Sequence, residues 1–312
     1  MMGAKGDGVE IVYYLQNCCS DLNIGNKLSR LYHANIMAMA IGADFLYVCP
    51  THKDTGNRGS IMSRLAQERI DSESDARHVV SKTKSVAEIC DVCDSNHPHQ
   101  CATGEIGLVV PIVIDDLQGT VRHASDYDEG SFDVALHYRC GDILGLHTEK
   151  YGILPHSTFV RLIQAKHDRE DNISIVVLSN VLNGNKAGKN ARSRDVLFAA
   201  TCQILVDDLV EYLSQSFPNA RISIPTNGSI AVDYFRLIRA TSMAICGPST
   251  FCLWPTLANP NAKILNSRLF PWIKQLDGSN STVFDSVMLK PRKNQTILDM
   301  GVASILAWLR TS

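Results

Sequence analysis

DVALHYRCGDIL, residues 133–144, begins with an apolar run and ends on Gly-Asp. A short apolar run closed by a turn former reads as a buried strand. Side chains alternate along a strand, so His137 and Arg139 share one face and Tyr138 takes the other. In an open α/β sheet, ligands bind beyond the carboxyl ends of the strands. Gly141 permits a sharp turn or a close backbone approach at that end. A buried arginine needs an anionic partner. Two partners fit: the Asp142 carboxylate, in a structural ion pair with His137 packed beside it, or a phosphate of a ligand.

Outward from this stretch, strands and helices alternate. In the second half, residues 155–166 form a helix with proline in its first turn, and ISIVVLS (173–179) is a buried strand. Residues 180–194 are a polar loop. Ser193 caps a long helix with a stripe of Phe198, Cys202, Leu205, Leu209 and Leu213, followed by Pro218. Strand RISIP, helix SIAVDYFRLIRA, strand SMAIC, helix STFCLWPTLA and strand AKIL complete the alternation. ILDMGVASILAWLR, near the end, reads as one amphipathic helix in need of a partner surface. In the first half, Ile11–Leu15 and DFLYVC are strands, separated by a helix over GNKLSRLYHANIMAMAIG. Residues 60–94 look helical with breaks, and 106–114 fit strand or helix. This alternation predicts an α/β fold with a parallel sheet covered on both faces. The polar stretch at 123–131 divides it into two Rossmann-like domains, 1–131 and 132–312, facing a cleft.

The 312 residues are 45% hydrophobic and 20% charged, with a net charge of -2. That balance offers no global field to recruit nucleic acid or an acidic membrane, so any anion site is local. No run of about 18 apolar residues is present, which argues against a span, and the N-terminal apolar stretch is short for a signal peptide. The chain is therefore expected to be cytoplasmic, or a fragment without its targeting segment. Ten cysteines and four Asn-x-Ser/Thr sequons, at Asn172, Asn227, Asn280 and Asn294, lean instead toward a secretory compartment.

A second element bears on Arg139. In AICGPSTFCLW, a strand runs through Gly247-Pro248 into a helix opened by Ser249 and Thr250. Amides and hydroxyls at a helix start form an anion site; plain N-capping by Ser249 is the structural alternative. If the two strands are adjacent, Arg139 and this turn cradle a phosphate together.

Other motifs are weaker. Asp126-Tyr-Asp128 has the Asp-x-Asp form used by metal-dependent glycosyltransferases, but no apolar strand precedes it. Cys90, Cys93, His97 and Cys101 have the ligand types of a zinc site with crowded spacing; a disulfide involving Cys101, or free thiols, are the alternatives. The Gly3–Gly8 string precedes the first strand, where no dinucleotide fingerprint belongs. GNKAGKN (184–190) lacks the P-loop spacing, and there is no nucleophile elbow.

HYRCGD resembles the His-x-Arg-x-Gly-Asp motif of the GT-B fucosyltransferase superfamily, the α1,2-, α1,6- and protein O-fucosyltransferase relatives. DYFRLIRATSMAICGPSTFCLW is similar to a later block of that superfamily, and GNKLSRLYHANIMAMAIGADF to its N-terminal helix and strand. The resemblance implies a GT-B-like fold and inverting, metal-independent transfer of fucose from GDP-fucose to a glycan or protein acceptor in the Golgi or ER lumen. No cofactor is implied beyond that donor. By resemblance, Arg139 holds the diphosphate and His137 lies near the nucleotide. Asp233 contacts the nucleoside, and Ser249, Thr250 and Phe251 form the phosphate-side turn. Asp142, or an acidic residue of the first domain, is the catalytic base, and the C-terminal helix crosses back onto the first domain. Many relatives carry a second arginine where this chain has Cys140. Two alternatives stay open: a non-catalytic nucleotide- or carbohydrate-binding relative, and a metal-dependent enzyme using Asp126 and Asp128.

Overall fold

The structure is a computed structural model. It describes residues 10–14, 25–29, 31–32, 44–48, 114–115, 117–119, 131–145, 152–179, 193–225, 230–268, 271–276, 280–291 and 294–312. The Asp126-x-Asp128 motif, the cluster at Cys90, Cys93, His97 and Cys101, the glycine string at 3–8, residues 184–190 and Asn227 lie outside the described residues. The chain divides into two compact units, Met1–Asp128 and Glu129–Ser312.

In the first unit, β1 (Glu10–Tyr14) pairs in parallel with β2 (Asp44–Val48), with Glu10 opposite Asp44. Between them, residues 25–29 are helical, and Leu28, Leu31 and Tyr32 are buried.

The second unit is built on a six-stranded sheet. Its strands are β3 (Val134–Tyr138), β4 (Ser174–Ser179), β5 (Arg221–Ser223), β6 (Met243–Cys246), β7 (Ala262–Asn266) and β8 (Ser281–Phe284). All neighbours are parallel, in the order β5-β4-β3-β6-β7-β8. Numbered within the sheet, this is the doubly wound order 3-2-1-4-5-6, so the unit is Rossmann-like α/β. The chain builds outward from β3 to β5, then returns to place β6 on the other side of β3.

The helices are α1 (His156–Gln164), α2 (Ser193–Ser216), α3 (Ile230–Arg239), α4 (Thr250–Ala258) and α5 (Val302–Thr311). Val134, Leu136 and Tyr138 of β3, with Ile175, Val177, Met243 and Ile245 of its neighbours, form one sheet face. Phe159 and Ile163 of α1, the α2 stripe from Phe198 to Leu213, and Ile305 and Leu309 of α5 pack on it. Each such side chain contributes about 1.5–3 kcal/mol when fully buried. On the opposite face, α3 and α4 pack on β3, β6 and β7 and on each other.

The apolar face of the C-terminal helix joins the core of the second unit, and Arg310 binds Asp208 and Glu211 of α2. Two features differ from expectation. The C-terminal stretch is not one continuous helix: Thr296 and Asp299 bond reciprocally, Leu298–Met300 forms a 3-10 turn, and Gly301 at φ 78° precedes α5. The edge strand β8 is the second. Its sequence STVF has Ser281 as its one buried residue, so it carries no hydrophobic alternation to read.

Candidate functional site

The site is built where the sheet order reverses. β3 and β6 are neighbours, with His137 opposite Cys246, so the turns after their carboxyl ends lie side by side. A crevice at such a switch point is where open α/β sheets bind ligands.

His137 is buried, 4% exposed, and its ring stacks on Phe251 of α4 at 5.1 Å. Tyr138 points the other way, against His156 and Phe159 of α1. Two residues after His137, the half-buried Arg139 donates from Nη1 to Ser249 Oγ at 3.2 Å. Arg139 and the Ser249 turn are therefore joined directly. Gly247 carries that turn past the end of β3, where a Cβ would sit 3.2 Å from the His137 carbonyl oxygen. Gly141 takes φ 81°, a backbone region that strongly favours glycine, and Asp142 then opens a 3-10 turn ending at Gly145. The Asp142 side chain lies outside the described residues.

The helix start differs from the expected open cradle. Ser249 Oγ accepts from Phe251 N at 3.2 Å, and Ser249 N donates to Gly247 O at 2.7 Å. One amide is thus engaged in the cap and a second in a backbone bond within the turn. The N-capping alternative holds, and it stands alongside the contact from Arg139 to the same hydroxyl. Thr250 is the first residue of α4.

Asp233 lies in the first turn of α3, with Arg236 bonded to its Oδ1 at 2.8 Å. Its neighbour Tyr234 meets Phe251 edge to face at 5.0 Å. His137, Arg139, Ser249 and Phe251 are joined by direct contacts, and Asp233 adjoins them through Tyr234.

Burial, and then the charge of Arg139, push the His137 pKa down to about 3. The imidazole is therefore neutral at physiological pH. Its Nδ1 has no hydrogen-bond partner among the described residues.

Two disulfides flank the site. Cys140, whose side chain alternates away from Arg139, is bonded to Cys202 of α2, and Cys246 is bonded to Cys252 across the Gly-Pro-Ser-Thr turn. Along the sequence Cys140 stands where many of the resembled relatives carry a second arginine, and no partner for it is indicated. The signal for the second bridge was a cysteine pair six residues apart on a strand end and the following helix. The signal for the first was Cys202 on the apolar stripe of α2.

Among the described residues, no cluster of three His, Cys, Asp or Glu is arranged to hold a metal ion, and no helix is long and apolar enough to cross a membrane. No family model and no curated protein matches the chain.

Proposed function

We propose that the chain is a glycosyltransferase of the fucosyltransferase type, with GDP-fucose as donor and a glycan or protein as acceptor. The second unit is the donor-binding half of a GT-B-like pair. The observation that carries the reading is the Arg139–Ser249 contact at the β3/β6 switch point. The motif resemblance of HYRCGD and of the block around GPSTF supports the choice of donor.

In this reading Arg139 and the Ser249–Thr250 hydroxyls hold the diphosphate. Asp233 faces the nucleoside, and His137 offers a neutral ring nitrogen. Breaking the sugar–phosphate bond builds oxocarbenium character on the sugar and negative charge on the leaving diphosphate. A fixed guanidinium where that charge grows lowers the barrier without having to reorganise. The acceptor hydroxyl attacks the anomeric carbon from the face opposite the leaving group, inverting it, and Asp142 takes the proton. The lumen of the secretory pathway is the corresponding location.

Thermal unfolding with nucleotides tests the donor. GDP at about a hundred times its Kd stabilises a single site by about 2.7 kcal/mol, and UDP at the same concentration should do less. Melting curves that ignore GDP would remove the proposal. GDP binding without turnover of GDP-fucose on any acceptor would reduce it to a nucleotide-binding relative.

A further inference from the structure

We propose that Asn172 and Asn280 carry N-linked oligosaccharides, displayed on the amino edge of the parallel sheet. The inference is independent of the catalytic reading. Each asparagine opens a sequon, Asn172-Ile-Ser174 and Asn280-Ser-Thr282, and each is exposed. Asn172 stands two residues before β4, and Asn280 immediately before β8. Because all six strands are parallel, both lie at the edge opposite Arg139 and Ser249, which follow the carboxyl ends of β3 and β6. A five-residue strand rising ~3.3 Å per residue sets those edges about 17 Å apart. Sugars at the amino edge therefore leave the candidate site open.

The surroundings fit a bulky substituent. Residues 168–170 before Asn172 are exposed. Asn280 adopts φ 57°, a conformation in which asparagine is enriched, and its carbonyl accepts from Lys263 N at 2.8 Å. The backbone is thus anchored while the side chain stands in solvent.

A second observation places the chain where the modification occurs. Cys140, Cys202, Cys246 and Cys252 are all buried and form two disulfides. Such bonds persist in oxidising compartments, the secretory lumen among them, and are rare in the cytosol. Modification joins the asparagine Nδ2 to the anomeric carbon of an oligosaccharide carried on a polyprenyl pyrophosphate. The bond from that carbon to pyrophosphate breaks, and polyprenyl pyrophosphate leaves with the amide proton.

The test uses the full chain isolated from the cells that naturally make it. Digestion with peptide N-glycosidase F in 18O-water converts each glycosylated asparagine to labelled aspartate, which peptide mass spectrometry locates. Labelled aspartate at positions 172 and 280 is the expected result. Unconverted asparagine at either position overturns the proposal for that site, and at both overturns it whole. In parallel, the unreduced chain is alkylated; labelling of all four cysteines would overturn the compartment argument and the proposal with it.

Discussion

Replacing Arg139 with alanine tests the core of the functional reading. The guanidinium donates to Ser249 Oγ at 3.2 Å beside the end of β3. Two unit charges 4 Å apart interact by about 4 kcal/mol at an effective dielectric of 20. Arg139 is only half-buried, so solvent screening brings the expected loss to about 2–3 kcal/mol, in the range of a charge-assisted hydrogen bond. That is a GDP affinity about 30- to 150-fold weaker, readable by isothermal titration. Arg139→Lys keeps the charge and loses the planar fork, and should cost about tenfold. Ser249 keeps its cap to Phe251 N in both variants, so the start of α4 should stay folded, readable as unchanged hydrogen exchange at Phe251. If Arg139→Ala binds GDP within about twofold of the native chain, the guanidinium does not hold the diphosphate and the reasoning fails.

Three further predictions concern the frame of the site. The folded pKa of His137 is about 3 against 6.5 unfolded, so the unfolded chain takes up a proton first on acidification. Stability should therefore fall as pH drops from 6.5 toward 3, by up to about 5 kcal/mol, and denaturant titrations of His137→Gln should show a flatter pH slope. Loop-closure entropy gives the Cys140–Cys202 bridge, 62 residues apart, about 4 kcal/mol, and the Cys246–Cys252 bridge, 6 apart, about 2 kcal/mol. Serine pairs replacing each bridge should lower denaturant stability in that order, while only the second pair loosens the Ser249 turn in hydrogen exchange. His156 is fully buried, with Nε2 2.9 Å from Asp208 Oδ2, and Arg310 Nε bonds the same carboxylate at 2.9 Å. Asp208→Ala should cost about 3 kcal/mol, visible as a drop in melting temperature of roughly 6–12 °C for a unit of this size.

The parallel sheet was legible because its four inner strands, β4, β3, β6 and β7, are buried on both faces and read as short apolar runs between amphipathic helices. Tyr138 opposite His137 and Arg139 followed from alternation alone. The adjacency of β3 and β6 did not follow, because strand order depends on long-range pairing that no local pattern encodes; it entered as a condition. β8 escaped because it is polar and at the edge. The break at Gly301 escaped because the apolar positions on both sides of it keep helical spacing. At the site, Arg139 and Ser249 were singled out by residue type and position. Their direct contact, in which Ser249 Oγ accepts from both Phe251 N and the guanidinium, needed coordinates. Cys140 shows the limit most clearly: read along the chain it was a lost arginine, and in space it is a tie to α2.

The sheet order has a consequence for how the molecule comes into being. Of the six strands of this sheet, β3, β4 and β5 emerge from synthesis before the others, and until Met243–Cys246 arrives, β3 is an edge with its outer ladder groups unpaired. Such an edge invites pairing with another chain. The strand that covers it is the one that brings in Ser249, so an aggregation-prone half-sheet is capped in the same event that joins Arg139 to the Ser249 turn.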